Sequence, residues 1–385
     1  MTIARTLGAA AAAGALSVLF AGQAPAQSLL SASGLGTPLE PVDARARGLG
    51  GIPVGLPEPR MSLVNPASAV GLPAAGLTVT FQADEISSTA GDQAEDYTTA
   101  RFPVVQVAFP IGERLVAQLG YASVLDQNWA VEHADSILIT GEQVAVLDRF
   151  RSSGGVARLR GGVGYRLLPR LDVGAALDVY TGALRDTVYR IFPPGIAPSI
   201  TGTTYEWRGV GFSAGARWRG NALSLSAAVS GGGSLKAAAQ DSGVASKDYT
   251  LPLQVDAGAS ARIAQQALLA VSARWQGWSA AEDDLSTGAR DAMQVAGGIE
   301  YEGLRFIGRP VPLRVGGRYS ELPFRFDASA DFVDERAATA GIGMIFSGGA
   351  ASLDLSGERG WRGGDAAGLD ESFWRVSLSL SLLGR

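Results

Sequence analysis

The sequence predicts an all-β chain: a transmembrane antiparallel β-barrel of about 14 strands behind an N-terminal hatch segment. Three observations carry this. The chain resolves into segments in which apolar and polar residues alternate, the period of a strand. The connections between those segments alternate long and short, as external loops and periplasmic turns do in outer-membrane barrels. Glycine is abundant at 51 residues, and mean hydropathy is only +0.14, so long helical spans are excluded.

The last segment shows the pattern most clearly. In Trp374–Leu382 every even position is apolar, and the odd positions are Arg375, Ser377, Ser379 and Ser381. Its length suits a tilted bilayer crossing, which needs roughly 9–11 residues. A soluble sandwich strand alternates in the same way, so the decision rests on the whole chain.

The segments expected as strands are Leu77–Glu85, Phe102–Phe109, Leu115–Leu125, Gly154–Leu167, Leu171–Thr181, Tyr205–Trp218 and Ala222–Ser230. They continue with Leu251–Ile263, Leu268–Trp278, Met293–Tyr301, Leu313–Tyr319, Ala337–Phe346, Ser352–Glu358 and Phe373–Leu382. An even count returns the C-terminus to the periplasm. Asp126–Ser153 and Ala183–Thr204 read as the longest external loops, with apolar stretches at Ile137–Val146 and Val188–Ile200. Those stretches suit either a landing groove for apolar solutes or packing of the loops on one another. Tyr121, Tyr165, Trp207, Trp218, Trp275, Trp278, Tyr319 and Trp374 lie near strand ends, where an aromatic girdle belongs.

Ahead of the barrel, Met1–Arg5 carries one positive side chain, Thr6–Ala21 is apolar, and Ala24-Pro25-Ala26 is a small-x-small cleavage site. Residues 1–26 therefore read as a signal peptide, with Gln27 as the mature start. Residues 27–75 are rich in Gly, Pro and Ala yet hold many apolar side chains, which argues that they pack against something. They form the expected hatch or plug, and residues 76–385 the barrel.

Little supports catalysis. The single histidine, His133, sits near Asp126, Glu132 and Asp135 in an expected external loop, and there is no cysteine. One histidine without cysteine makes no ordinary zinc site, and acidic pairs such as Asp283-Asp284 lack calcium-loop spacing. The reading is a non-enzyme with no metal and no cofactor. A net charge of −5 does not point to nucleic acid.

The inward-parity face carries Arg158, Arg160, Arg217, Arg274, Arg314, Arg318 and Arg375, with Asp172, Asp178, Asp256, Asp354 and Glu358. The expectation is an ion-pair network bridging opposite walls. The alternative is that some arginines meet an anionic head group in the pore.

Two motifs carry a resemblance: Ala44–Gly51, with Gly48, Gly50 and Gly51, and Asn65-Pro66-Ala67 just before the first strand. Leu251-Pro252-Leu253 and Leu269–Trp278 add to it. The chain resembles the FadL-type family of outer-membrane transporters for long-chain fatty acids and other hydrophobic compounds. The resemblance implies passive uptake of a hydrophobic small molecule, opened by a hatch movement or a kinked strand. It also implies a bacterial outer-membrane location, with membrane lipid and the barrel-assembly machinery as partners. One departure is the ending Leu383-Gly384-Arg385, where many barrels finish on an aromatic residue. A subunit of an outer-membrane protein-export assembly, binding partners through external loops, is the second reading, and a general diffusion pore the third.

Overall fold

A computed structural model describes residues 28–384, apart from Glu58, Asp92, Ser242 and Ser286. The expected signal peptide and Gln27 lie outside the described residues.

Fourteen antiparallel strands close into a barrel. They are β1 (Gly76–Ala90), β2 (Gln93–Ile111), β3 (Leu115–Asp126), β4 (Glu142–Leu168), β5 (Leu171–Ile191), β6 (Ser199–Arg219) and β7 (Leu223–Ala239). The second half is β8 (Gln254–Ala264), β9 (Ala267–Gln276), β10 (Ala292–Tyr301), β11 (Leu313–Arg325), β12 (Phe332–Phe346), β13 (Ala351–Gly364) and β14 (Leu369–Leu383). Each pairs with its neighbours in sequence, and β14 closes on β1 with Leu378 opposite Phe81 and Trp374 opposite Glu85. Both barrel ends, Gly76 and Leu383, are paired at the rim of short turns, which places that rim in the periplasm.

The faces divide by parity. Leu177 and Val315 are at least 60% exposed on the outside, whereas Asp172 and Asp178 on the inside are fully buried. In β14 Ser377 and Ser379 are buried inward and Leu378, Leu380 and Leu382 face out.

The external stretches differ from expectation. Residues 126–153 are not a loop: Trp129–Ile139 forms an extra strand that pairs with the upper part of β4. Residues 183–204 are mostly strand as well, since β5 and β6 pair from Leu171 and Trp218 up to Arg190 and Ser199. Likewise β1 and β2 run on to Ala90 and Gln93. The reason is physical. Apolar alternation marks only the part of a strand that meets lipid, and a ladder of backbone hydrogen bonds continues above the membrane without it. Leu251-Pro252-Leu253 precedes β8 and does not open it. The girdle expectation needs correction too. Tyr165, Trp218 and Trp374 are outward and exposed, but Trp207 and Trp278 are buried in the outer mouth with Leu35, Tyr180 and Phe324.

Residues 28–75 lie inside the barrel. A 3-10 turn (Leu29–Ala32) packs under the outer ends of β1, β12 and β14 against Ile86, Val333 and Phe373. Thr37–Pro38 then pairs with Asp126 and Leu125 of β3. A short helix, α1 (Ala44–Gly48), is capped by Asp43, whose Oδ1 accepts from Ala46 N at 2.8 Å. The remainder descends without regular structure to Gly76.

Candidate functional site

The inner wall is shaped to receive this segment. Glycines on six strands let its backbone approach where any side chain would collide. A Cβ on Gly174 of β5 would lie 2.6 Å from the Pro66 carbonyl carbon, and one on Gly258 of β8 would lie 2.3 Å from Val54 O. Gly316 of β11 meets Leu49 in the same way, at 2.4 Å. Gly164 of β4, Gly298 and Gly341 repeat the arrangement against Pro66, Leu49 and Gly48. These contacts come from both halves of the barrel wall.

Each residue expected in the hatch has a definite place in the lumen. Gly50 N donates to Thr339 Oγ1 at 2.9 Å, and Gly50 and Gly51 take the left-handed backbone that glycine permits. Gly48 lies against Gly341, and its carbonyl accepts from Thr339 Oγ1. In Asn65-Pro66-Ala67, Asn65 Nδ2 donates to Ala216 O (3.0 Å) and Ala227 O (3.3 Å), while its Oδ1 accepts from Ala67 N (2.9 Å). The Pro66 carbonyl accepts from Gln118, and Ala67 is fully buried.

The inward arginines hold the same segment. Arg158 and Arg160 both donate to Leu63 O, and Arg160 also grips Asp178 through two bonds of 2.7 and 2.8 Å. Arg217 donates to Ser68 O and Val70 O and pairs with Asp172. Arg274 pairs with Asp256. Arg314 pairs with Glu300 and Asp354, and Glu300 also takes Arg45 of α1.

Arg318 belongs to a longer belt. It pairs with Glu335 and Glu358, Glu358 with Arg375, Arg375 with Asp84, Asp84 with Arg101, and Arg101 with Asp126. The ties therefore run along neighbouring strands and onto the plug, not across to opposite walls. Arginine suits this, because its fork satisfies two acceptors at once where desolvation is costly. His133 lies on the exposed external strand, opposite Asp148, and no group of three metal-ligating side chains forms among the described residues.

Three hollows matter. A cavity of about 100 Å³ lies between plug and wall, lined among others by Glu40, Arg158, Arg274, Gln294, Trp278 and Arg318. Arg274 Nη2, Arg318 Nη1 and Gln294 Nε2 have no protein partner there. At the outer mouth a pocket of about 230 Å³ is lined by Leu35, Trp129, Leu184, Tyr205, Trp207 and Tyr249. The third, about 340 Å³, sits in the wall between β2 and β3 and includes Ala100, Arg101, Tyr121, Ser123 and Asp126.

That third hollow marks a break in the sheet. The β2–β3 ladder begins at Ile111–Leu115 and stops at Val104–Ala122. Above it, beside Pro103, residues 94–101 of β2 pair with β1 but form no ladder with β3. Proline supplies no N–H for a ladder, so it belongs at such an edge. The facing edge of β3, bulged at Val124, is taken by Thr37–Pro38 of the plug, and Leu39 N donates to Val124 O at 2.8 Å. Arg101 and Asp126 bridge the opening. Sequence reasoning had no means of finding this break except Pro103 itself.

A closed barrel with an apolar outer band, short periplasmic turns and an N-terminal segment in its lumen has the fold of FadL-type outer-membrane barrels. A solved Pseudomonas aeruginosa FadL homologue shares the fold at 16% identity over 90% of this chain and 99% of its own, with a TM-score of 0.61. The Ralstonia pickettii toluene transporter TbuX matches at 15% identity, 90% and 99% coverage, and a TM-score of 0.61. The monoaromatic hydrocarbon channel CymD matches at 16%, 91% and 98%, with 0.56. The family model described as BamG matches residues 5–229, more than half of the chain, which therefore belongs to the BamG family. No curated protein sequence matches it.

Proposed function

We propose that this barrel admits hydrophobic small molecules through the outer membrane by passive uptake, with residues 27–75 as its hatch. The parted wall between β2 and β3 is the observation that carries the reading. Residues 94–101 ladder to β1 alone, and the lower end of the break, at Ala100 close to Pro103, lies level with the lipid-facing Val376, where an apolar solute would leave the lumen for lipid. The solute lands in the aromatic mouth pocket, passes the plug as Thr37–Leu39 releases β3, and exits sideways. Each buried CH₂ favours such a conduit over water by roughly 0.8 kcal/mol.

Within this class we propose a long-chain fatty-acid-like solute. Its carboxylate would meet the partnerless donors of Arg274, Arg318 and Gln294 in the inner cavity, while its chain stays toward Trp278 and Leu125. Reconstituted liposomes test this. Faster entry of a long-chain fatty acid than into empty liposomes supports it. Faster entry of toluene alone narrows the substrate to neutral aromatics, and no acceleration of either overturns uptake.

A second reading, a subunit that docks on a protein-assembly complex, draws on membership of the BamG family and on apolar side chains exposed above the membrane. Leu138 is 72% and Ile200 65% exposed on the external strands. Mild crosslinking in membranes followed by purification distinguishes it: a stoichiometric protein partner supports docking.

A further inference from the structure

We infer that the outer face of the barrel carries a binding site for a phosphate-bearing acyl lipid of the outer leaflet. Two features meet there. The first is a lattice of arginine and aromatic side chains on β11–β14. Arg336 lies opposite Tyr319 on one side and Trp361 on the other, and Arg359 lies opposite Trp374. The guanidinium of Arg336 is 5.9 Å from the Tyr319 ring, and that of Arg359 is 5.4 and 5.2 Å from Trp361 and Trp374. Neither arginine has a carboxylate partner among the described residues. The nearby Asp334 is already held by Arg290 and the Tyr319 hydroxyl, and Glu85 sits one strand beyond Trp374.

The lattice stands just external to the lipid-facing residues Val376, Leu378 and Leu380. Tryptophan belongs at that depth, and so do lipid phosphates. The inward arginines of this wall, Arg314, Arg318, Arg362 and Arg375, are ion-paired. Two unpaired guanidiniums with aromatic backing, about one diagonal neighbour apart, therefore await an anion that the chain does not supply. Stacking leaves their N–H edges free for phosphate oxygens.

The second feature is an apolar recess of about 840 Å³ on the lipid-facing surface, beginning at Tyr319 and crossing to Leu225. Gly297 and Gly317 face each other in register and hollow it out between Val271, Val295 and Ala259. A smooth barrel wall would present side chains there. The recess is a shallow, open apolar surface along which an acyl chain can lie, and its edge at Tyr319 touches the lattice. Head group and chain thus have adjoining places.

Native mass spectrometry of the protein from bilayers holding a phosphorylated glycolipid and its dephosphorylated, acyl-matched form tests the site. The wild type should retain the phosphorylated form preferentially. Arg336→Gln with Arg359→Gln should lose that preference by roughly tenfold or more. Gly297→Leu should reduce retention of both forms, because a side chain there has room but fills the recess. Unchanged heat-shifted gel mobility shows that each variant is folded. Equal retention of the two lipids by the wild type overturns the proposal, as does displacement of the lipid by millimolar inorganic phosphate.

Discussion

Arg101 Nη1 lies 2.8 Å from Asp126 Oδ2, across the one stretch where the strands that carry them form no ladder. The pair joins two edges that the backbone leaves apart, and it ends the belt that runs from Arg318 through Glu358, Arg375 and Asp84. Arg101→Gln should therefore loosen the opening without collapsing the barrel. Its expected signature is faster entry of a hydrophobic dye into proteoliposomes, with a stability loss of about 1–3 kcal/mol. Slower or unchanged entry with normal folding argues against the opening as the route.

The glycines of the wall should separate by face. Gly174→Val would drive a side chain into Pro66, and overpacking of this kind costs about 1–3 kcal/mol. At Gly161, one hydrogen-bonded region away, a Cβ would meet only the Leu119 side chain at 3.6 Å. Single-channel recording should show new conductance for Gly174→Val, as the plug is displaced, and none for Gly161→Ala.

The closing strand sharpens a simple expectation from alternation, that a charge at Leu378 harms assembly far more than one at Ser379. Leu378→Lys should impair assembly, since a lipid-facing lysine near the midplane costs about 2–4 kcal/mol. Ser379 is no free lumenal position, however. Its hydroxyl bonds Thr80 Oγ1 at 2.8 Å and accepts from Ala44 N at 2.7 Å. Lysine there would collide with α1. Ser379→Ala is the informative change: it should assemble normally by heat-shifted mobility, yet show a looser plug as raised conductance.

Above the membrane, Arg190 grips Asp148 through bonds of 2.7 and 2.6 Å. That hydrogen bonding, aided by the positive charge of Arg190, holds the carboxyl below its ordinary value of 3.8. A depressed carboxylate stabilises the fold above its unfolded pKa and loses that contribution as pH falls through the folded value. Protease nicking of residues 129–152 should thus stay flat from neutral pH down to about 4 and rise below it. Asp148→Asn should nick equally at every pH in that range.

Much of the fold is legible in the sequence because lipid imposes a strict period. Leu171–Thr181 or Phe373–Leu382 announces its lipid face, and fourteen such segments imply closure. What lies outside the apolar band leaves no such mark. The upper parts of β4, β5 and β6 are as regular as the lower parts, but water tolerates either face, so residues 142–153 and 183–191 carry no strand signal in the sequence. The site is less legible still. The parity of Arg158, Arg160, Arg274, Arg314 and Arg318 can be read from sequence, but their partners depend on register, as with Arg318 reaching Glu335 on one neighbour and Glu358 on the next but one. Which glycines receive the plug depends on where a non-repeating segment happens to touch the wall. Trp207 and Trp278 resemble girdle residues by position alone, and only the fold shows them turned inward.

On the proposed uptake route the N-terminal segment gates a side opening at β3. Leu39 follows Thr37–Pro38 in the ladder with β3, its N–H on Val124 O, and the chain has no native cysteine to compete. A Leu39→Cys and Val124→Cys variant, oxidised to a disulfide, fixes the segment to the wall. In proteoliposomes, uptake of a long-chain fatty acid should be slow in the oxidised variant and return to the wild-type rate on reduction. Equal uptake before and after reduction would contradict the account.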